Sequence, residues 1–160
     1  MTTVVITPKQ YEMYMARLGK EYMPTIRKGI LSGAMRSIGI VQRKTRDAGA
    51  VNTGSYLQKW RAERTENGAL VSNDAPYSGV IENGRRPGTM PPSKAIALWA
   101  QRKLGLDAQE AKKASFMIAR AIARRGLKAR NVLSSAVPEI TESVLAEVDR
   151  EMEASLRKVS

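Results

Sequence analysis

The sequence predicts an α+β fold: a long N-terminal helix, a small antiparallel β-sheet with a hairpin, a protruding Gly/Pro loop and C-terminal helices. Three observations predict it. Apolar residues recur at helical spacing before residue 45 and again after residue 93. Between these stretches an alternating segment meets Asn67-Gly68, the strongest short hairpin signal. Residues 73–92 then hold four prolines and three glycines, too many for a long regular element.

The first helix should start at Thr7-Pro8-Lys9-Gln10, where Thr caps, Pro suits the first helical position and Gln takes the capping-box place. Tyr11, Tyr14, Met15, Leu18 and Tyr22 follow at helical spacing, and Pro24 is expected to break or kink the helix. A second helical pattern runs through Ile26, Ile30, Ala34, Ile38 and Val41. It carries Gly29 and Gly33 one turn apart, for which two readings stay open. Either another helix approaches closely there, or the helix tolerates two poor formers.

Residues 47–55 read as a loop. Tyr56, Trp60 and Ala62 mark one side of a strand that turns at Asn67-Gly68 and returns through Ala69–Ser72. Within the long loop a short helix is expected around Val80 and Ile81. Ser93 to Leu104 resumes helical spacing and Gly105 ends it. Asp107 with Glu110 forms a second capping-box start. The helix that follows divides cleanly. Ala111, Ser115, Ile118 and Ile122 make one face, and Lys113, Arg120 and Arg124 make the opposite stripe, because seven and eleven residues are nearly whole turns. Gly126 stops it. A last helix with a mostly acidic polar face is expected near Pro138. The chain is therefore read as one domain over residues 1–135 with a helical extension over 136–160.

Composition narrows the chemistry. The chain has neither cysteine nor histidine. That removes the usual zinc sites, thiol nucleophiles, haem ligation by His and Ser-His-Asp triads. It also removes disulfides, so packing or assembly must supply stability. No apolar run is long enough to span a membrane, and MTTVVITPKQ lacks the basic start and long apolar stretch of a signal peptide. The net charge of +12 is unevenly spread: residues 85–130 carry twelve Lys/Arg against two Asp/Glu, while residues 131–160 carry three against six. Such a balance points to nucleic acid, an acidic partner or an anionic surface.

No catalytic, cofactor-binding or metal site is expected. Glu63, Glu66, Asp74 and Glu82 are scattered and read as solvated edge and turn residues, since no metal-ligand spacing joins them. Gly84-Arg85-Arg86-Pro87-Gly88 lacks the P-loop pattern. It reads instead as an exposed arm whose Arg85, Arg86, Pro87 and Gly88 meet a neighbouring subunit. The stripe Lys113, Arg120, Arg124, continued by Arg125, Lys128 and Arg130, either contacts phosphate backbones or is a solvated face balanced by an acidic partner. Nothing suggests reading of bases: zinc-finger, RRM and KH signatures are missing, and few aromatic residues are present for stacking.

Several segments occur in a telling order: Val51-Asn52-Thr53-Gly54-Ser55-Tyr56-Leu57, Asn73-Asp74-Ala75-Pro76-Tyr77, Val80-Ile81-Glu82-Asn83-Gly84, Arg86-Pro87-Gly88 and Pro91-Pro92. This series resembles the tail-completion, or head–tail joining (neck), proteins of tailed bacteriophages. It is also similar to phage minor tail proteins of the Z type. The resemblance covers about residues 35 to 135. It departs at Asn131-Val132-Leu133, where an extra acidic helix follows.

The resemblance implies a non-enzymatic virion protein, made in the host bacterial cytoplasm. Its place would be the neck or tail, as a subunit of a homo-oligomeric ring, a hexamer, around the DNA channel. The implied partners are further copies of itself, the head connector or stopper, the tail terminator or tail tube, and double-stranded DNA bound without sequence preference, with no membrane involved. Two alternatives remain: a tail terminator protein, and, on charge alone, a small non-specific nucleic-acid-binding protein.

Overall fold

The computed structural model describes residues 8–66 and 68–158, and it is α+β with helices dominant. The elements in order are α1 (Pro8–Asp47), α2 (Ser55–Gln58), β1 (Trp60–Thr65), β2 (Gly68–Asn73), α3 (Ser78–Asn83), α4 (Ser93–Leu104), α5 (Ala108–Arg125) and α6 (Val132–Arg157). Strands β1 and β2 pair as a two-stranded antiparallel sheet. The expected hairpin is therefore present, and so are the short helix at Val80 and Ile81 and the helix stops at Gly105 and Gly126. Thr7 and Asn67, the expected cap and turn residues, lie outside the described residues.

Three expectations are corrected. Of the break or kink expected at Pro24, the break does not occur: α1 runs through it as one helix. A proline inside a helix forfeits one backbone hydrogen bond and crowds the preceding turn; the helix continues on both sides of it. Tyr56 does not begin the strand. It sits in α2, one turn of helix before β1, with its side chain buried. The last helix starts at Val132, not near Pro138, which falls inside α6. The reason for that start is a side chain fifty residues away, described below.

The chain forms two compact units. One comprises Met1–Ile38, Ala62–Val71 and Pro138–Ser160. Here α1 and α6 approach backbone to backbone. A Cβ on Gly29 would stand 2.6 Å from Val148 Cα, and one on Gly33 would stand 2.5 Å from Val144 Cα. Only glycine permits that approach, so of the two readings of Gly29 and Gly33 the close helix contact holds. Ion pairs flank the seam: Lys28 to Glu151 at 2.8 Å and Arg36 to Glu147 at 2.7 Å. Glu147 is buried and also meets Arg150 at 2.9 Å. Part of the acidic face of α6 is thus neutralised by α1 and by α6 itself.

The other unit comprises Gly39–Arg61 and Ser72–Val137. Its buried residues include Val41, Tyr56, Trp60, Ala100, Ala111, Ala119 and Val132. Tyr56 packs edge-on to Trp60 with centroids 5.7 Å apart, and its ring lies 6.0 Å from that of Tyr77. Asn73 knits this cluster. Its Nδ2 donates to the Tyr56 carbonyl at 2.8 Å, and its Oδ1 accepts from Ala75 N–H at 3.0 Å. Burial pushes the Tyr56 phenol above its ordinary pKa, with the charges of Glu82 and Tyr77 adding to the effect. Two motif segments noted in the sequence, 51–57 and 73–77, therefore meet in one hydrogen-bonded aromatic corner. Helix α4 packs against α5.

Candidate functional site

Helix α5 is built as its sequence prescribes. Asp107 Oδ1 accepts from the N–H groups of Gln109 and Glu110, both at 2.8 Å, and Glu110 Oε2 accepts from Asp107 N–H at 3.1 Å. This closes a capping box. Ala111, Ser115 and Ala119 are buried, and Ile118 and Ile122 half-buried. Packing that face turns Lys113, Arg120 and Arg124 outward, and all three are exposed. No counter-charge meets any of them among the described residues.

The outward face is not purely basic. Phe116 is 55% and Met117 64% exposed. They lie one turn after Lys113 and one turn before Arg120, inside the stripe. The spacing that predicts the stripe also places them there, since 116 and 117 follow 113 by three and four residues. Reading only the charges missed them. An exposed aromatic and a methionine, set between cations, form the kind of mixed patch that protein contacts use.

The continuation of the stripe divides. Arg125 and Lys128 are exposed. Arg130 instead serves the fold: its guanidinium donates to the Ala48 carbonyl, beside Gly49. Its charge is anchored to the loop after α1, and it is not a continuation of the α5 face.

The Gly/Pro segment is tied down at two points. Arg85 and Leu127 exchange both backbone hydrogen bonds, at 2.9 and 2.8 Å, as an antiparallel bridge. Gly88 N–H donates to the Ala123 carbonyl at 2.8 Å. The bridge is flanked by glycines on both sides. Gly84 and Gly126 have φ of 71° and 74°, and a Cβ on either would collide with the opposing backbone, at 2.4 and 2.1 Å from the oxygens of Leu127 and Arg85. Arg85 is half-buried and its guanidinium donates to the Thr89 carbonyl at 2.6 Å. Arg86, Pro87 and Gly88 remain exposed. Within the loop, Arg86 is the cation left for an outside contact.

Glu82 is not a solvated turn residue. Its carboxylate accepts from Leu133 N–H at 2.8 Å, from Ser134 N–H at 2.9 Å and from the Ser134 hydroxyl at 2.5 Å. It thereby supplies the N-terminal cap of α6 and an anion at the positive end of the helix. Burial opposes its ionisation, but the bonds from Ser134, Leu133 and Val132 outweigh that and hold its pKa below the ordinary carboxylate value. Asp74 pairs with Arg61 at 3.3 Å, and Glu63 and Glu66 are exposed. Among the described residues no group of three or more acidic side chains could hold a metal ion, and no helix is long and apolar enough to cross a membrane.

No family model matches the chain, and no curated protein or solved structure matches it significantly.

Proposed function

We propose that this chain is a structural subunit of a tailed-phage neck: a tail-completion protein that forms a homo-oligomeric ring joining the head connector to the tail around the DNA. The observation that carries the reading is the exposed face of α5. Three exposed cations stand there with no counter-charge among the described residues, which leaves them free to meet phosphates or an acidic neighbour. The ordered segments from Val51 to Pro92 supply the neck-protein resemblance, and two of them build the aromatic corner around Tyr56. Identical subunits that meet through unlike surfaces close a ring when the rotation between them allows it. DNA of any sequence must pass such a ring, so contacts with it would be to phosphates and few per subunit. The exposed Arg86, Arg125 and Lys128 are further candidates for them.

The test is genetic and structural. The gene is inactivated in the phage that carries it, and the particles are imaged. The reading expects filled heads and separate tails that fail to join, with joining restored by the intact gene. Normally joined particles would refute it. Tails of uncontrolled length would instead favour a tail terminator.

The net charge of +12 favours one other reading, a non-specific nucleic-acid-binding protein. That reading expects the free chain to bind duplex DNA tightly, with an affinity that falls steeply as salt rises. Weak binding by the free chain, with contacts appearing only on assembly, supports the ring.

A further inference from the structure

The exposed face of α5 has a counterpart elsewhere in the chain. Along α5 the outward residues include Lys113, Phe116, Met117, Arg120 and Arg124. Along α6 they include Glu142, Leu145, Ala146, Asp149 and Glu153, with Arg150 exposed beside them. The two series have the same spacing, each residue of the second lying twenty-nine positions after its counterpart in the first. Base stands against acid at three places, and apolar against apolar at the other two. All ten residues are exposed, with Leu145 59% exposed beside Phe116 at 55% and Met117 at 64%. Glu142 and Asp149 make no ion pair among the described residues. Glu153 pairs with Arg157, at 3.6 Å and on the surface.

We propose that α5 of one copy docks along α6 of the next, and that this contact is the joint by which the chain associates with itself. The matched spacing favours one direction. With the helices parallel, Lys113 meets Glu142, Arg120 meets Asp149 and Arg124 meets Glu153, turn by turn. Parallel helices packed face to face present their flanks in mirror order. Phe116 then meets Ala146 and Met117 meets Leu145. An antiparallel arrangement keeps Lys113 on Glu153 and Arg124 on Glu142 but sets Arg120 against Ala146 and Met117 against Asp149, so it keeps two charge pairs of three and neither apolar pair.

The two surfaces differ, so the contact is head-to-tail and leaves each copy with one of each surface free. Repetition closes a ring or grows a filament. One helix pair buries less than a standard interface of about 1,600 Å², so the contact is weak in isolation and sensitive to salt. The proposal rests on the ring reading only in that copies of the chain associate. Its consequence for that reading is that the α5 stripe is spent on protein, leaving DNA to other cations.

The chain has no cysteine, so engineered thiols report the contact without background. Met117→Cys and Leu145→Cys are made in separate full-length chains and mixed under mild oxidation. The expected result is a disulfide-linked dimer in the mixture in clear excess over either variant alone. Reversing one face (Lys113→Glu, Arg120→Glu, Arg124→Glu) should lower the yield about tenfold or more, the worth of three exposed ion pairs. Reversing the other (Glu142→Lys, Asp149→Lys, Glu153→Lys) should do the same. A chain carrying all six reversals should recover the yield, and that recovery separates complementarity from misfolding.

Equal cross-linking in the mixture and in either variant alone would overturn the contact, as would reversals without effect or six reversals without recovery. Sedimentation of the unmodified chain distinguishes the two proposals. Oligomers that persist when the cross-link fails leave the ring and remove this joint. A chain that stays monomeric throughout, with no cross-link, removes the joint, and the neck reading then stands or falls on the phage imaging.

Discussion

Val144 Cα lies 2.5 Å from the point where a Cβ on Gly33 would stand. Any side chain at residue 33 must therefore push the backbone of α6 away from α1. Gly29 and Val148 repeat the relationship one turn earlier, at 2.6 Å.

Gly33→Ala should destabilise the chain by about 1–3 kcal/mol, the usual cost of forcing extra volume into a packed contact. Gly39→Ala is the control. Residue 39 lies in the same helix and is exposed, with nothing within 4 Å of its Cβ position. There alanine should stabilise by roughly 0.5–1 kcal/mol, through helix propensity alone. Urea denaturation of both variants checks the pair. Equal effects at the two sites would mean that the approach of α6 does not constrain residue 33.

Glu82→Gln should cost about 1–2 kcal/mol at neutral pH, because the replacement weakens a charged cap. The pH dependence has a definite sign. The carboxyl of Glu82 is held below its ordinary pKa in the folded chain. Its contribution is therefore complete above the unfolded value and fades as the pH falls through the folded one. The gap between Glu82→Gln and the parent chain should narrow on acidification, as followed by thermal melts. A gap that is constant from neutral to acid pH would show that the charge of Glu82 plays no part.

Glu147 is 5% exposed and has two cationic partners, Arg36 and Arg150. Removing Arg36 alone leaves Arg150 to balance it, so Arg36→Ala should cost about 1 kcal/mol. The pair Arg36→Ala and Arg150→Ala strands a buried carboxylate and should cost about 3 kcal/mol or more. The prediction is a double-mutant cycle with strong coupling. Additive effects would show that each arginine acts independently of the shared acid.

Deleting residues 85–89 should lower stability, because it removes the Arg85–Leu127 bridge and the Gly88–Ala123 bond. Arg86→Glu touches neither and should leave the melting temperature within a degree or two of the parent, as surface changes usually do. If the loop contacts a neighbour, Arg86→Glu should nonetheless impair particle assembly. Normal assembly with this variant would remove the loop from the interface.

What the sequence by itself determined is what depends on neighbours along the chain. Helix α5 with its capping box, the stop at Gly126, the hairpin β1–β2 and the outward turn of Lys113, Arg120 and Arg124 all follow from local spacing and local hydrogen bonds. The exposed Phe116 and Met117 were equally readable on the same helical wheel. What only the tertiary structure decided depends on partners distant in sequence. Glu82 sets the start of α6 from fifty-one residues away, and no pattern near Val132 announces a cap that the helix does not carry itself. Arg130 belongs to Ala48, eighty-two residues before it, although its neighbours group it with the α5 stripe. The choice between a tolerated and a required glycine at residues 29 and 33 needed α6 in place. A glycine records that space is wanted, and only the element that fills the space shows why.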